Sequence, residues 1–169
     1  MNILLRESQK PDIPFLHAML YEAVFWRPNP KKPTFEEGLA APGVRNALIH
    51  WGERTGDTAV IACVQSIPAG AAWYRWYTED NSIRGSIEDT IPVVVIAVHT
   101  DSRCQGIGGK MMHGLIDQAS RHHIHALSLM VSKDTHAIQL YRQCGFLEYA
   151  DTGDSFVMWR KISILGYIR

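Results

Sequence analysis

Arg103-Cys104-Gln105-Gly106-Ile107-Gly108-Gly109 gathers a guanidinium and three glycines into seven residues, directly after the apolar run Val93 to Val98. Glycines let a backbone approach a ligand closely, and the first N–H groups of a helix lack intrahelical partners, so such a turn binds anions. Six successive apolar, mostly β-branched residues read as a strand buried on both faces. Ile107, Met111, Leu115 and Ala119 recur at every fourth position, so the turn opens a helix. The chemistry on offer is the grip of a phosphorylated carrier.

Spacing separates the kinds of glycine turn. A P-loop requires glycine where Cys104 stands and Ser or Thr where Met111 stands. A dinucleotide fingerprint requires its third glycine at Met111, and a carboxylate closing the next strand that His125 to Val131 does not supply. Neither motif is met.

What remains, Arg-x-x-Gly-x-Gly-Gly after a strand, resembles the pyrophosphate-binding segment of the GNAT N-acetyltransferase superfamily. A second segment resembles the other hallmark of that family: Ala137-x-x-Leu140-Tyr141-x-x-x-Gly145-Phe146, a short helix expected over Thr135 to Cys144 and closed by Gly145. Trp51-Gly52-x-x-x-Gly56-Asp57 and Ala71-Ala72-Trp73-Tyr74-Arg75 are similar to a bacterial single-domain subgroup. The resemblance implies acetyl-CoA as cosubstrate, no metal, and transfer of acetyl to a small amine or a protein amino group by direct attack. The implied cofactor-binding residues are Ile96, Ala97, Val98, Arg103, Cys104, Gln105, Gly106, Ile107, Gly108, Gly109, Thr135 and Ala137. A backbone N–H near Val98 is the implied oxyanion donor.

Acetyl transfer needs a neutral amine, a donor to the oxyanion and a proton for the departing thiolate. Tyr141 matches the family tyrosine beside the sulfur; its phenol, with an ordinary pKa of about 10, is the expected general acid. No base stands where many relatives carry a strand carboxylate, because that stretch is Pro92 to Val98. Glu22, Glu79, Glu88, Asp89, His99 and a water relay are the candidates. Asp134 and Thr135 replace an Asn common in relatives; Thr135 retains hydrogen-bonding capacity. The missing carboxylate and this replacement keep a non-catalytic acyl-CoA-binding regulatory module open as the alternative.

Other clusters read as structure. Arg121-His-His-Ile-His125 falls at a helix C-terminus, where cations suit the dipole, so no metal is expected there. Cys104 replaces a small turn residue. Trp73, Tyr74, Trp76 and Tyr77 alternate along a strand, so half are expected in the core and half toward the acceptor.

These groups must be positioned by the elements around them. A first strand is expected at Ile3 to Arg6, a helix over Ile13 to Val24, short helices near Phe35 to Leu39 and Val44 to Trp51, then antiparallel strands Thr58 to Val64 and Ala69 to Tyr77. The prolines of Arg27 to Pro33 enforce a loop. Strands Val93 to Val98 and Leu127 to Val131 are far enough apart in sequence for a helical crossover and are therefore parallel. Strands Phe146 to Tyr149 and Asp154 to Lys161 follow. The expected fold is α/β: a mixed, largely antiparallel sheet flanked by helices, whose parallel pair the resemblance implies is splayed between Ile96 to Thr100 and Leu127 to Val131. The acceptor cleft is expected from the Phe25 to Trp51 region and the Thr78 to Thr90 loop, with Glu79, Asp80, Glu88 and Asp89 giving it an acidic lining.

The chain of 169 residues is 46% hydrophobic, enough for one domain over 1–169. Seventeen basic residues balance 17 acidic ones, which marks neither a nucleic-acid nor a membrane partner. The N-terminus carries no long apolar core, so a cytoplasmic location is expected. Cys63, Cys104 and Cys144 are odd in number and dispersed, so free thiols are expected. The resemblance leaves a homodimer possible without a motif that encodes it.

Overall fold

The computed structural model describes residues 2–163; Met1 and residues 164–169, which the one-domain expectation includes, lie outside the described residues. The elements run β1 (Ile3–Glu7), α1 (Ile13–Val24), α2 (Phe35–Ala40), α3 (Pro42–Arg45), β2 (Thr58–Val64), β3 (Ile67–Arg75), β4 (Val93–Val98), α4 (Ile107–Arg121), β5 (Ala126–Ser132), α5 (Ala137–Gln143), β6 (Leu147–Asp151) and β7 (Ser155–Lys161). They form a seven-stranded sheet ordered β1-β2-β3-β4-β5-β7-β6. All neighbours are antiparallel except β4 and β5. This is the mixed α/β sheet expected from the sequence.

Both faces are covered. The i, i+4 stripe Ile107, Met111, Leu115 and Ala119 of α4 packs with Ala72, Tyr74, Val94, Leu127 and Leu129 on one face. Leu16, Met19 and Leu20 of α1 pack with Ile61, Ala71, Trp73 and Ala97 on the other. Each fully buried Leu, Ile or Met contributes about 1.5–3 kcal/mol relative to exposure. Because β3 lies between the two cores, Trp73 and Tyr74 are both 0% exposed and Tyr77 is buried. The aromatic alternation therefore divides two cores, and none of Trp73, Tyr74, Trp76 and Tyr77 lines the cavity between β4 and β5 described below. Half were expected to face the acceptor; that expectation is corrected.

The helix expected over Val44 to Trp51 is also corrected. Helix α3 stops at Arg45, and the chain continues in turns through His50 (φ 54°) and Gly52 (φ 83°). Arg75 explains the change, since its guanidinium takes the carbonyls of Ile49 at 2.7 Å and His50 at 3.1 Å. Helix α2 begins as its sequence directs, with Thr34 Oγ1 accepting from Glu37 N–H and Glu37 Oε2 accepting from Thr34 N–H. Gln65 and Ser66, both at positive φ, join β2 to β3, which begins at Ile67, two residues before the expected Ala69.

Candidate functional site

The parallel pair separates almost as soon as it forms. Its register is confined to Val93 opposite Ser128, with Ser128 N–H donating to Pro92 O at 3.1 Å. Beyond that point β4 stays with β3 and β5 with β7. His99 N–H donates to Ala69 O at 2.8 Å, which sets the alternation of the β3–β4 ladder. Odd-numbered residues of β4 therefore bond β3, and the N–H groups of Ile96 and Val98 point into the opening toward β5. The splay expected between these strands is present.

A cavity of about 700 Å³ occupies this opening and extends under the end of α1. Ile96, Ala97, Val98, Arg103, Gly108, Thr135, Ala137 and Tyr141 all line it, so most of the expected site converges on one space. Cys104, Gln105, Gly106, Ile107 and Gly109 do not line it. The Ile107 side chain is 1% exposed in the core, the exposed Cys104 sits at φ 60°, and Gln105 Nε2 donates to Asp101 O at 3.4 Å. What these turn residues offer is backbone.

The turn is built as an anion cradle. Gly106 caps α4 at φ 79°, a left-handed conformation that side chains disfavour. Lys110 N–H is the first to bond back, to Gly106 O at 3.2 Å, which leaves the earlier N–H groups of the helix for a ligand. A Cβ at Gly108 would lie 3.2 Å from Leu140 Cδ2 and 3.9 Å from Val98 Cγ2, so glycine there keeps the space between β4 and α5 open. Arg103 is held from two sides: Nε donates to Val98 O at 3.2 Å and Nη2 to Glu22 Oε2 at 2.8 Å. Glu22 also accepts from Thr100 Oγ1 at 3.0 Å.

Tyr141 lies on α5, anchored by Phe146 N–H to Tyr141 O at 3.0 Å and by Gly145 (φ 78°), which ends the helix as the sequence predicts. Its ring is 7% exposed and stacks edge-on against Phe146. Burial, reinforced by Cys144 nearby, pushes its phenol pKa well above the ordinary value. The group therefore carries its proton throughout the neutral range. Among the described residues the Tyr141 hydroxyl has no hydrogen-bond partner, and Tyr141 lines the cavity, so the hydroxyl is available to a ligand. Thr135 Oγ1 accepts from Ala137 N–H at 3.3 Å, and Asp134 is engaged by Arg27 at 2.7 Å and 3.1 Å.

Of the five side chains weighed as base, only Glu22 lines the cavity; Glu79, Glu88, Asp89 and His99 are exposed elsewhere. The cavity is also lined by Phe25, Trp26, Val44, Ala47, Ile83 and Arg84, from the two regions expected to build an acceptor cleft. The acidic lining expected from Glu79, Asp80, Glu88 and Asp89 is corrected: the charged liners among the described residues are Glu22, Arg27, Arg84 and Arg103. Arg27 and Arg84 were missed because they sit in loops where arginine has no periodic signature. Of the histidine cluster, His122 Nδ1 lies 2.8 Å from Tyr74 Oη, and no metal-holding group of three His, Cys, Asp or Glu occurs among the described residues.

The sequence matches the acetyltransferase (GNAT) family over residues 21–146, and the chain belongs to that family. Solved structures agree on the fold. The chain is similar to a ribosomal-protein-alanine N-acetyltransferase from Brucella melitensis, with TM-score 0.66 and 20% identity over 94% of this chain and 99% of that one. It is similar to yncA, a putative acetyltransferase from Salmonella typhimurium solved with its cofactor acetyl-CoA, at TM-score 0.67 and 18% identity over 100% and 99% of the two chains. The PaiA N-acetyltransferase from Thermoplasma acidophilum, in complex with coenzyme A, gives TM-score 0.69 and 14% identity over 95% and 99%. No curated protein matches the sequence. Among the described residues no helix is long and apolar enough to cross a membrane.

Proposed function

We propose that the protein is an acetyl-CoA-dependent N-acetyltransferase acting on a primary amine, a small molecule or a protein amino group. The observation that carries this reading is the convergence of Ile96 and Val98, Gly108 of the glycine turn, Arg103 and Tyr141 on one splayed-strand opening. The residues fit the cofactor: Gly108 keeps open a space that a Cβ would narrow, and the helix start offers unpaired N–H groups. Arg103 would add charge beside the phosphates, and Thr135 and Ala137 would border the pantetheine arm.

Acetyl-CoA supplies a thioester, open to a neutral amine and releasing a thiolate. The protein's part is electrostatic and proton-transferring. Ile96 and Val98 N–H groups donate to negative charge that develops on oxygen in the opening. Tyr141 donates its phenolic proton from Oη to the departing sulfur. Glu22, directly or through water, accepts the proton shed by the amine. The Tyr141 proton, held in place by burial, favours this reading over a binding module without turnover.

Free CoA release measured against a panel of amines tests it. Turnover of one acceptor supports the enzyme; binding of acetyl-CoA with no turnover of any amine supports the module.

A further inference from the structure

Two arginines line the cavity from outside the glycine turn, and both keep donors free. Arg27, just after α1, commits Nε and Nη2 to Asp134 at 3.1 Å and 2.7 Å, which leaves its Nη1 donors open. Arg84, in the loop between β3 and β4, makes no hydrogen bond among the described residues; its neighbour Asp154 Oδ1 stands 3.8 Å away and accepts from Ser155 Oγ at 2.9 Å. In each pair the arginine lines the cavity and the aspartate does not. Glu22, the one carboxylate liner among the described residues, is already taken by Arg103 and Thr100. The wall therefore carries positive charge that no carboxylate inside the cavity offsets.

These two cations stand apart from the phosphate grip. Arg103 hangs from Val98 O, on the β4 side of the opening. Arg27 and Arg84 belong to the β5 side: Asp134 follows Lys133 just past the end of β5, and Asp154 O accepts from Lys133 N–H at 2.9 Å. Gly85, next to Arg84, sits so close to β5 that a Cβ there would lie 2.9 Å from Met130 N.

Resting on the acetyltransferase reading above, we propose that the acceptor is an amine that also carries a carboxylate, the chemistry of a free amino acid, and that Arg84 and Arg27 hold that carboxylate. A guanidinium presents a fork of N–H donors that matches a carboxylate, and such charge-assisted bonds are the strong ones. Phe25, Trp26 and Ile83 adjoin the two arginines and line the same cavity, so the rest of the acceptor meets apolar walls. A polyamine would bring its second cation against Arg27 and Arg84, with no free carboxylate liner to receive it.

CoA release measured with free amino acids, the matching amino-acid amides and spermidine tests this. Turnover of at least one free amino acid is expected, with kcat/KM about tenfold or more above that of its amide, and no turnover of spermidine. Arg84→Ala and Arg27→Ala should each raise the KM of that amino acid about tenfold, with kcat within about threefold of native and the calorimetric Kd of acetyl-CoA within about twofold. Asp154→Ala removes the neighbour of Arg84 without touching the cavity lining and should not raise KM. An amide or spermidine turned over as well as the free amino acid overturns the carboxylate and leaves the acetyltransferase standing. Arg84→Ala with unchanged KM, or Asp154→Ala raising KM as much as Arg84→Ala, overturns the arginine as its holder. Acetyl-CoA bound with no amine turned over overturns the acetyltransferase reading and this proposal with it.

Discussion

Arg75 and Asp57 form a two-pronged ion pair wholly inside the protein, with Nε to Oδ1 and Nη2 to Oδ2 both at 2.6 Å and the side chains 1% and 3% exposed. Asp57 also accepts from Gly52 N–H at 2.9 Å, and the guanidinium lies 5.2 Å from the Trp51 ring centroid. One cluster thus ties the irregular segment after α3 to β3. That segment includes Ala47, which lines the cavity and whose carbonyl accepts from Tyr77 Oη at 3.3 Å. The pair is a fastener for this part of the cavity wall.

Asp57→Ala leaves a buried guanidinium without its carboxylate and is expected to cost about 3–5 kcal/mol in urea denaturation. Glu53→Ala, which removes only an exposed contact with His50, should change stability by less than about 0.5 kcal/mol. Equal effects of the two variants would show that the buried pair does not hold the segment.

Tyr141→Phe keeps the ring and removes the proton. Turnover is expected to fall about 10²-fold or more, with acetyl-CoA affinity unchanged in calorimetry. The pH dependence has a definite sign. A general acid works while protonated, and burial raises this phenol's pKa, so turnover should show no alkaline loss from Tyr141 up to about pH 9. Such a loss, abolished by Tyr141→Phe, would contradict the burial of the phenol.

Much of this site is legible in the chain because its positions are local. Val93 to Val98 reads as a strand from six apolar residues, and the glycine turn announces both a left-handed cap and a close approach. Tyr141 and Gly145 carry their own helix-and-stop pattern. Glu22 is different: it meets Arg103 across 81 positions of sequence, and a carboxylate on an amphipathic helix looks solvated until the fold brings the turn to it. The turns after Arg45 were hidden for the same reason, since Arg75 captures the carbonyls of Ile49 and His50 from another element. Alternation along β3 likewise predicts two faces, but not that both are covered.

The glycines of the turn should fail in different ways. Gly106→Ala places a side chain at φ 79° with nothing within 4 Å of its Cβ, so its effect is backbone strain of about 1–2 kcal/mol. Gly108→Val meets Leu140 and Val98 across the cavity wall and should raise the acetyl-CoA Kd at least tenfold. Melting curves paired with calorimetry distinguish them. Gly108→Val binding acetyl-CoA like the native protein would remove the turn from the cofactor site.

Acid stability should report Asp12. Arg6 holds its carboxylate with two contacts of 2.7 Å, and Gln9 N–H adds a third at 2.7 Å. The Arg6 hydrogen bonds, followed by that of Gln9, outweigh burial and lower its pKa. A depressed carboxyl stabilises the fold above its unfolded pKa of about 3.9, and that contribution is lost as pH falls through the lower folded value. Denaturation midpoints of Asp12→Asn should approach those of the native protein as pH drops below about 4. Parallel curves would show that the pair contributes nothing.

Glu22 and Arg103 touch at 2.8 Å, yet their removal should be felt in different constants. Arg103→Ala takes a cation from the anion end of the cavity and frees Val98 O, so its expected effect is a rise of about tenfold in the acetyl-CoA Kd. Arg103→Lys restores the charge but not the simultaneous contacts to Val98 O and Glu22, and should recover only part of the affinity. Glu22→Gln retains an acceptor oxygen for Arg103 and Thr100 while losing the capacity to take up a proton from an amine. If Glu22 receives that proton, kcat falls about 10²-fold with Kd within twofold of native. If it only orients Arg103, Glu22→Gln and Arg103→Ala shift Kd together and kcat stays close to native, and the proton must then leave through water alone.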